Sequence, residues 1–150
     1  MNKLNHIVAT FVSVATIFAV TSCCSQKGDD VEVSDLRCRN LENPEGVDRA
    51  SFSWEIETDL PNVAQNAWEI EIASTKKALK KGKADVWQSG KQISDQQLNV
   101  EPQGAQLQPG AGYWWRVRVW TGEDKVTSWS DPAYFSLGPD SSQWKGQWIT

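Results

Sequence analysis

From Val33 onward the chain is written in short alternating runs separated by turn residues, and no apolar 3.6-residue period persists over a long window. Such a chain folds as packed sheets, because a period of two puts one face of each run against a core and the other in water. Ala50 to Glu57 alternates most plainly: Phe52, Trp54 and Ile56 fall on one face, Ser51, Ser53, Glu55 and Glu57 on the other. Trp68, Ile70 and Ile72 share a face, with Glu69 and Glu71 opposite. Val33 to Cys38, Val86 to Gln92, Leu98 to Glu101 and Ala133 to Leu137 are further strand candidates, with Leu98 and Val100 expected inward. Asn43-Pro44-Glu45-Gly46 and Pro61-Asn62 supply turn chemistry between them. Lys76 to Lys83 holds five lysines and reads as a short helical turn or an exposed loop. Its charge suits either an anionic lipid or polysaccharide or, the preferred reading, a solvated connection that aids solubility.

The strongest local phrase is Leu107-Gln108-Pro109-Gly110-Ala111-Gly112-Tyr113, followed by the alternating run Trp114 to Trp120. Leu107, Pro109 and Tyr113 have the spacing of the tyrosine corner of Greek-key sandwiches, in which the tyrosine hydroxyl bonds backbone a few residues upstream. Tyr113, Trp115, Val117 and Val119 are then expected to point into the core. Together the candidates within residues 33–138 have the size and order of an all-β, seven-stranded fibronectin type III or immunoglobulin-like sandwich of about 100 residues. This fixes a fold class and says nothing of function.

If Tyr113 faces inward, Trp114, Arg116, Arg118 and Trp120 share the outer face of the same strand. Downstream, Ser128-Trp129-Ser130 resembles the second half of the tryptophan-serine box of cytokine-receptor fibronectin domains. That resemblance implies that Trp129 lies between Arg116 and Arg118, in cation–π contacts of roughly 0.5–2 kcal/mol each. The arginines are also placed to pair with Glu69 and Glu71 if the two strands are neighbours. An aromatic face of this kind either stacks on sugar rings or forms a structural ladder. The ladder is preferred, because a guanidinium supplies the stacking partner internally, and Arg116→Ala is then expected to cost about 1 kcal/mol.

Composition removes several chemistries. The one histidine is His6, in the segment read below as cleaved, so the mature chain has no imidazole for nucleophilic catalysis or metal ligation. A net charge of −4 argues against a nucleic-acid partner. Lys3 followed by the apolar run Ile7 to Val20 reads as a signal peptide, residues 1–22. Val20-Thr21-Ser22-Cys23 resembles the bacterial lipobox, which makes Cys23 the expected lipid anchor; ordinary secretory cleavage and acylation at Cys24 are the alternatives. Residues 23–32 read as a flexible tether, and an exported chain held by lipid to the outer membrane or cell surface of a Gram-negative bacterium is the expected location. Cys24 and Cys38 are not expected to form a structural disulfide. Asp29-Asp30 and Glu123-Asp124 are too ordinary as exposed turns to be assigned to calcium. No cofactor and no metal site is expected. Residues 139–150 form an aromatic linker in which Trp144 and Trp148 lack a domain of their own, and so invite a protein or glycan partner.

Several phrases occur together in one order: Leu36-Arg37-Cys38-Arg39-Asn40-Leu41-Glu42-Asn43-Pro44-Glu45-Gly46-Val47-Asp48, Phe52-Ser53-Trp54-Glu55, Asp85-Val86-Trp87-Gln88-Ser89-Gly90-Lys91, Tyr113 to Trp120, and Trp144 to Ile149. They resemble the N-terminal fibronectin-like domain of bacterial α-L-rhamnosidases, inverting glycoside hydrolases that remove terminal rhamnose. The resemblance implies that the two catalytic carboxylates lie in a later (α/α)₆ barrel, so that the chain, ending at Thr150, is expected to stop short of the catalytic domain and to carry no catalytic residue. A noncatalytic accessory domain is the leading expectation. A stand-alone lipid-anchored carbohydrate-binding module and a protein-interaction or spacer module are the alternatives, with the remaining rhamnosidase domains or a rhamnose-containing glycan as partners.

Overall fold

The computed structural model describes residues 31–122 and 125–140, which form two antiparallel sheets packed face to face. The first pairs β1 (Val31–Cys38) with β2 (Phe52–Thr58). The second has the order β4-β3-β5-β6, with β3 Ala67–Ala73, β4 Trp87–Gln88, β5 Gly112–Trp120 and β6 Ala133–Ser136. One short helix, α1 (Lys76–Lys80), follows β3.

The core lies where the inward faces meet. Phe52 stacks on Trp115 with ring centroids 4.2 Å apart and meets Phe135 edge-on at 5.4 Å. Trp54 meets Trp68 edge-on at 6.0 Å, and Ile70, Ile72, Val117 and Val119 fill the space around them. Buried and half-buried residues alternate along the whole of β5, as a strand with one face on a core requires. Trp54 also donates its indole N–H to Oε1 of the buried Gln65 at 3.0 Å, and the Gln65 amide nitrogen donates to the carbonyls of Ser94 and Gln96. A single glutamine thereby ties the core to a loop that crosses from one sheet to the other.

At the entry to β5 the Gln108 backbone N–H donates to the Tyr113 hydroxyl at 2.7 Å, with the Tyr113 ring buried against Phe135. The bond closes the loop before the strand and fixes which residues point inward. Tyr113→Phe keeps the ring and removes the acceptor, so it is expected to lower stability by about 1–2 kcal/mol, read as a lower urea midpoint at unchanged slope.

The lysine-rich stretch makes α1, which begins where the Thr75 hydroxyl accepts the Ala78 N–H and is pinned by the fully buried Leu79. The loop beyond it is fastened to the end of β3 by Asp85, whose carboxylate accepts the Ser74 hydroxyl at 2.6 Å and the Ser74 backbone N–H at 2.9 Å. These bonds hold the Asp85 carboxyl below its ordinary range. Their contribution is present above the unfolded carboxylate pKa and is lost as pH falls through the lowered folded value. Asp85→Asn is therefore expected to flatten the decline of melting temperature below about pH 4, compared with the unaltered chain.

Two strand expectations are corrected. Leu98 is not inward but 66% exposed, and Leu98 to Glu101 forms no strand, only a two-bond bridge between Val100 and Phe52. The cause is Asn99, whose positive φ of 54° breaks the alternation so that Val100 alone enters the core. Val86 to Gln92 narrows to Trp87–Gln88, because Gly90 turns the chain with φ 61° before Gln92 rejoins Trp68. Six strands are thus formed among the described residues rather than seven. Cys38 is fully enclosed, and burial pushes its thiol up, away from the reactive thiolate. Cys23, Cys24, Trp144 and Trp148 lie outside the described residues, as do Asp29, Asp30, Glu123 and Asp124.

Candidate functional site: the outer face of β5

Because β3 pairs with β5 in the register Glu69↔Arg118 and Glu71↔Arg116, two acidic and two basic side chains face each other across one strand gap. Arg116 donates to Glu71 Oε2 from Nη2 at 2.6 Å and from Nε at 2.8 Å, and both side chains are about nine-tenths buried. Arg118 repeats the arrangement on Glu69 Oε2 at 2.6 and 2.8 Å in a more open setting.

What covers these pairs is the segment between β5 and β6. Thr127 accepts the Val119 N–H on its hydroxyl at 3.1 Å and returns its own N–H to the Val119 carbonyl at 2.9 Å. Ser130 does the same for Val117, at 3.1 and 2.9 Å. Two hydroxyl side chains thus take the place of strand backbone and lay the segment along β5 where β6 has not yet begun. Trp129, held between these two points, lies over both arginines, its ring centroid 4.4 Å from the Arg116 guanidinium and 4.5 Å from that of Arg118. The stack continues: Arg118 is 5.2 Å from the Trp120 ring, and Lys91 Nζ stands 4.7 Å over the same ring. Cation and ring alternate from Arg116 through Trp129, Arg118 and Trp120 to Lys91.

Trp114 sits apart from this stack. Its ring packs against Tyr134 at 5.4 Å and carries Lys76 Nζ at 5.0 Å. Trp87 takes its place on the edge strand β4, partly buried against the core. Leu107 packs, partly buried, on the core, whereas Pro109 is exposed in the turn.

Chemically, this face holds charge rather than displaying it. Glu69 and Glu71, two residues apart on one strand, are separated by roughly 6.5–7 Å along the backbone. An inverting carboxylate pair needs two free carboxyl groups roughly 6.5–9.5 Å apart. Here, however, each carboxylate is engaged by a guanidinium, and Trp129 covers the guanidiniums. Among the described residues no three of His, Cys, Asp and Glu gather as a metal site. Ser130 is legible in the sequence as part of the Ser128-Trp129-Ser130 phrase, whereas its bonds to Val117, and the parts played by Thr127, Gln65 and Lys91, are seen only in the fold. Thr127 and Ser130 flank Trp129 closely enough to have suggested a hydroxyl clamp, but Gln65 and Lys91 carry no local signal.

Comparison with known proteins places this geometry. Residues 33–140 match the family described as Rha78A-like, N-terminal immunoglobulin domain. An α-L-rhamnosidase of Formosa agariphila is 36% identical over 112 residues, which cover 72% of this chain and 12% of that protein. One from Streptomyces avermitilis is 34% identical over 113 residues, covering 73% of this chain and 11% of the relative. The solved structure of α-L-rhamnosidase from Dictyoglumus thermophilum superposes with a TM-score of 0.73 at 31% identity, over 79% of this chain and 14% of that one. The chain thus spans only about an eighth of the proteins it matches.

Proposed function

Since the chain belongs to the Rha78A-like N-terminal immunoglobulin domains, we propose that it is a noncatalytic accessory domain of an α-L-rhamnosidase, the hydrolysis of terminal rhamnose being carried out by other domains. The observation that carries this reading is the extent of the similarity, which takes in most of this chain and about an eighth of each relative. The outer face of β5 supports it: its carboxylates are committed to arginines and its rings to cations, an arrangement suited to a rigid module and not to a sugar-cleaving cleft. The domain works by folding independently and presenting a stiff surface to its neighbours.

Mixing the chain with a Streptomyces avermitilis α-L-rhamnosidase from which the 113-residue stretch similar to this chain has been removed tests the assignment. Co-elution on size exclusion and a raised melting temperature of the shortened enzyme are expected. Separate elution with unaltered melting would count against an accessory role.

Cys23 is the proposed lipid attachment site, with the outer membrane or cell surface as the location, on the strength of the Val20-Thr21-Ser22-Cys23 phrase. Cys23→Ser is expected to release the protein from the membrane fraction, and retention there would refute the anchor.

A further inference from the structure

The free edge of the four-stranded sheet and the segment that bridges to β2 do not close on each other. Between them runs a groove of about 500 Å³, bounded by Trp87, Gln88 and Ser89 on β4 and just after it, by Gln92, and by residues 96–103 opposite, with Trp68 at its floor. That volume falls within the range of small-molecule sites, roughly 300–1,000 Å³. Five carboxamides converge there, from Gln88, Gln92, Gln96, Asn99 and Gln103, beside two indoles and with Glu101 as the one charged side chain. Gln92 and Gln96 spend their amide nitrogens on the Ser89 and Leu98 carbonyls, which orients them and leaves their oxygens as acceptors. Trp68, 8% exposed, closes the floor with its ring.

The geometry points to a binding site for a neutral polyhydroxylated ring, a single sugar residue. A carboxamide offers both donors and an acceptor and so matches vicinal hydroxyls, each of which donates and accepts. The indole of Trp87, half-buried at the sheet edge, supplies an apolar wall for the ring's C–H face. The absence of a cation from the lining disfavours phosphorylated or carboxylated ligands. An extended peptide is disfavoured because β4 is two residues long and ends at the Gly90 turn, leaving no row of free backbone groups for strand addition. This site stands on the groove alone and is independent of the accessory role: an accessory domain with no sugar affinity, or a sugar-binding domain that fails to dock, would separate the two.

The test is titration of the full ¹⁵N-labelled chain with L-rhamnose and, separately, D-galactose, following the indole N–H resonances of Trp68 and Trp87. A saturable shift of both with millimolar Kd is expected for at least one sugar. Gln88→Ala combined with Gln103→Ala, both at exposed positions, should weaken it fivefold or more without changing the melting temperature. Three results would overturn the proposal: no saturable shift with either sugar up to about 100 mM, well beyond the millimolar range; a shift undiminished in the double variant; or a saturable response to trialanine and to neither sugar, which would assign the groove to peptide.

Discussion

Arg116→Ala is expected to lower the unfolding free energy by about 3–5 kcal/mol, several times what a cation–π contact alone would cost. The guanidinium has three roles at once: it donates twice to Glu71, it stacks on Trp129, and its stem covers the sheet. Removing it leaves the Glu71 carboxylate, with a side chain 10% exposed, facing an emptied site instead of a fork of donors. Breaking a buried pair from one side is costly for that reason, even where the intact pair adds little net stability. Arg116→Lys should rescue only part of the loss, since an ammonium cannot reproduce the planar donor set or the flat stack on the ring. The internal control is Arg118→Ala, where the side chain is 32% exposed and water can solvate the stranded Glu69, so a loss of about 1–2 kcal/mol is expected. Urea midpoints of the three variants give this order directly. Equal losses at the two arginines would mean that burial of the Glu71 pair is not what holds this face.

Trp115→Ala is the other large effect, about 3–5 kcal/mol, because the side chain is wholly enclosed and its ring stacks on Phe52 at 4.2 Å, leaving a void that the two sheets cannot close. Trp115→Phe discriminates further. Its smaller ring also leaves a gap, but it eliminates an indole N–H that has no acceptor among the described residues, and that gain offsets part of the lost packing. Less than half the alanine loss is expected, measured by circular dichroism so that the missing tryptophan does not bias the signal.

These two sites also show how much could be read from the residues. Trp115 is legible because strict alternation after Tyr113 forces it inward; matching that alternation to Trp68, Ile70 and Ile72 fixes which faces meet, while the choice among even shifts is seen only in the pairing of β3 with β5. The ion pairs are then a consequence of register. The strength of the Arg116 pair was not legible, because it depends on how closely Trp129 closes over it, which is set by hydroxyl-to-backbone bonds from Thr127 and Ser130. Leu98 misled because alternation was extended through Asn99, a residue that tolerates left-handed backbone and here adopts it. The groove was invisible for a different reason. Its carboxamides come from β4, from the turn after it and from the bridging segment, and only the crossing between sheets brings them together. Alternation predicts faces; it does not predict what loops assemble beside them.

The proposed accessory role requires that this chain alone hydrolyse no rhamnoside. The most direct measurement is the initial rate of aryl α-L-rhamnoside hydrolysis by the purified chain, run beside its Glu69→Gln/Glu71→Gln variant. No rate above buffer is expected for either protein. A rate that the unaltered chain shows and the double variant lacks would contradict that role.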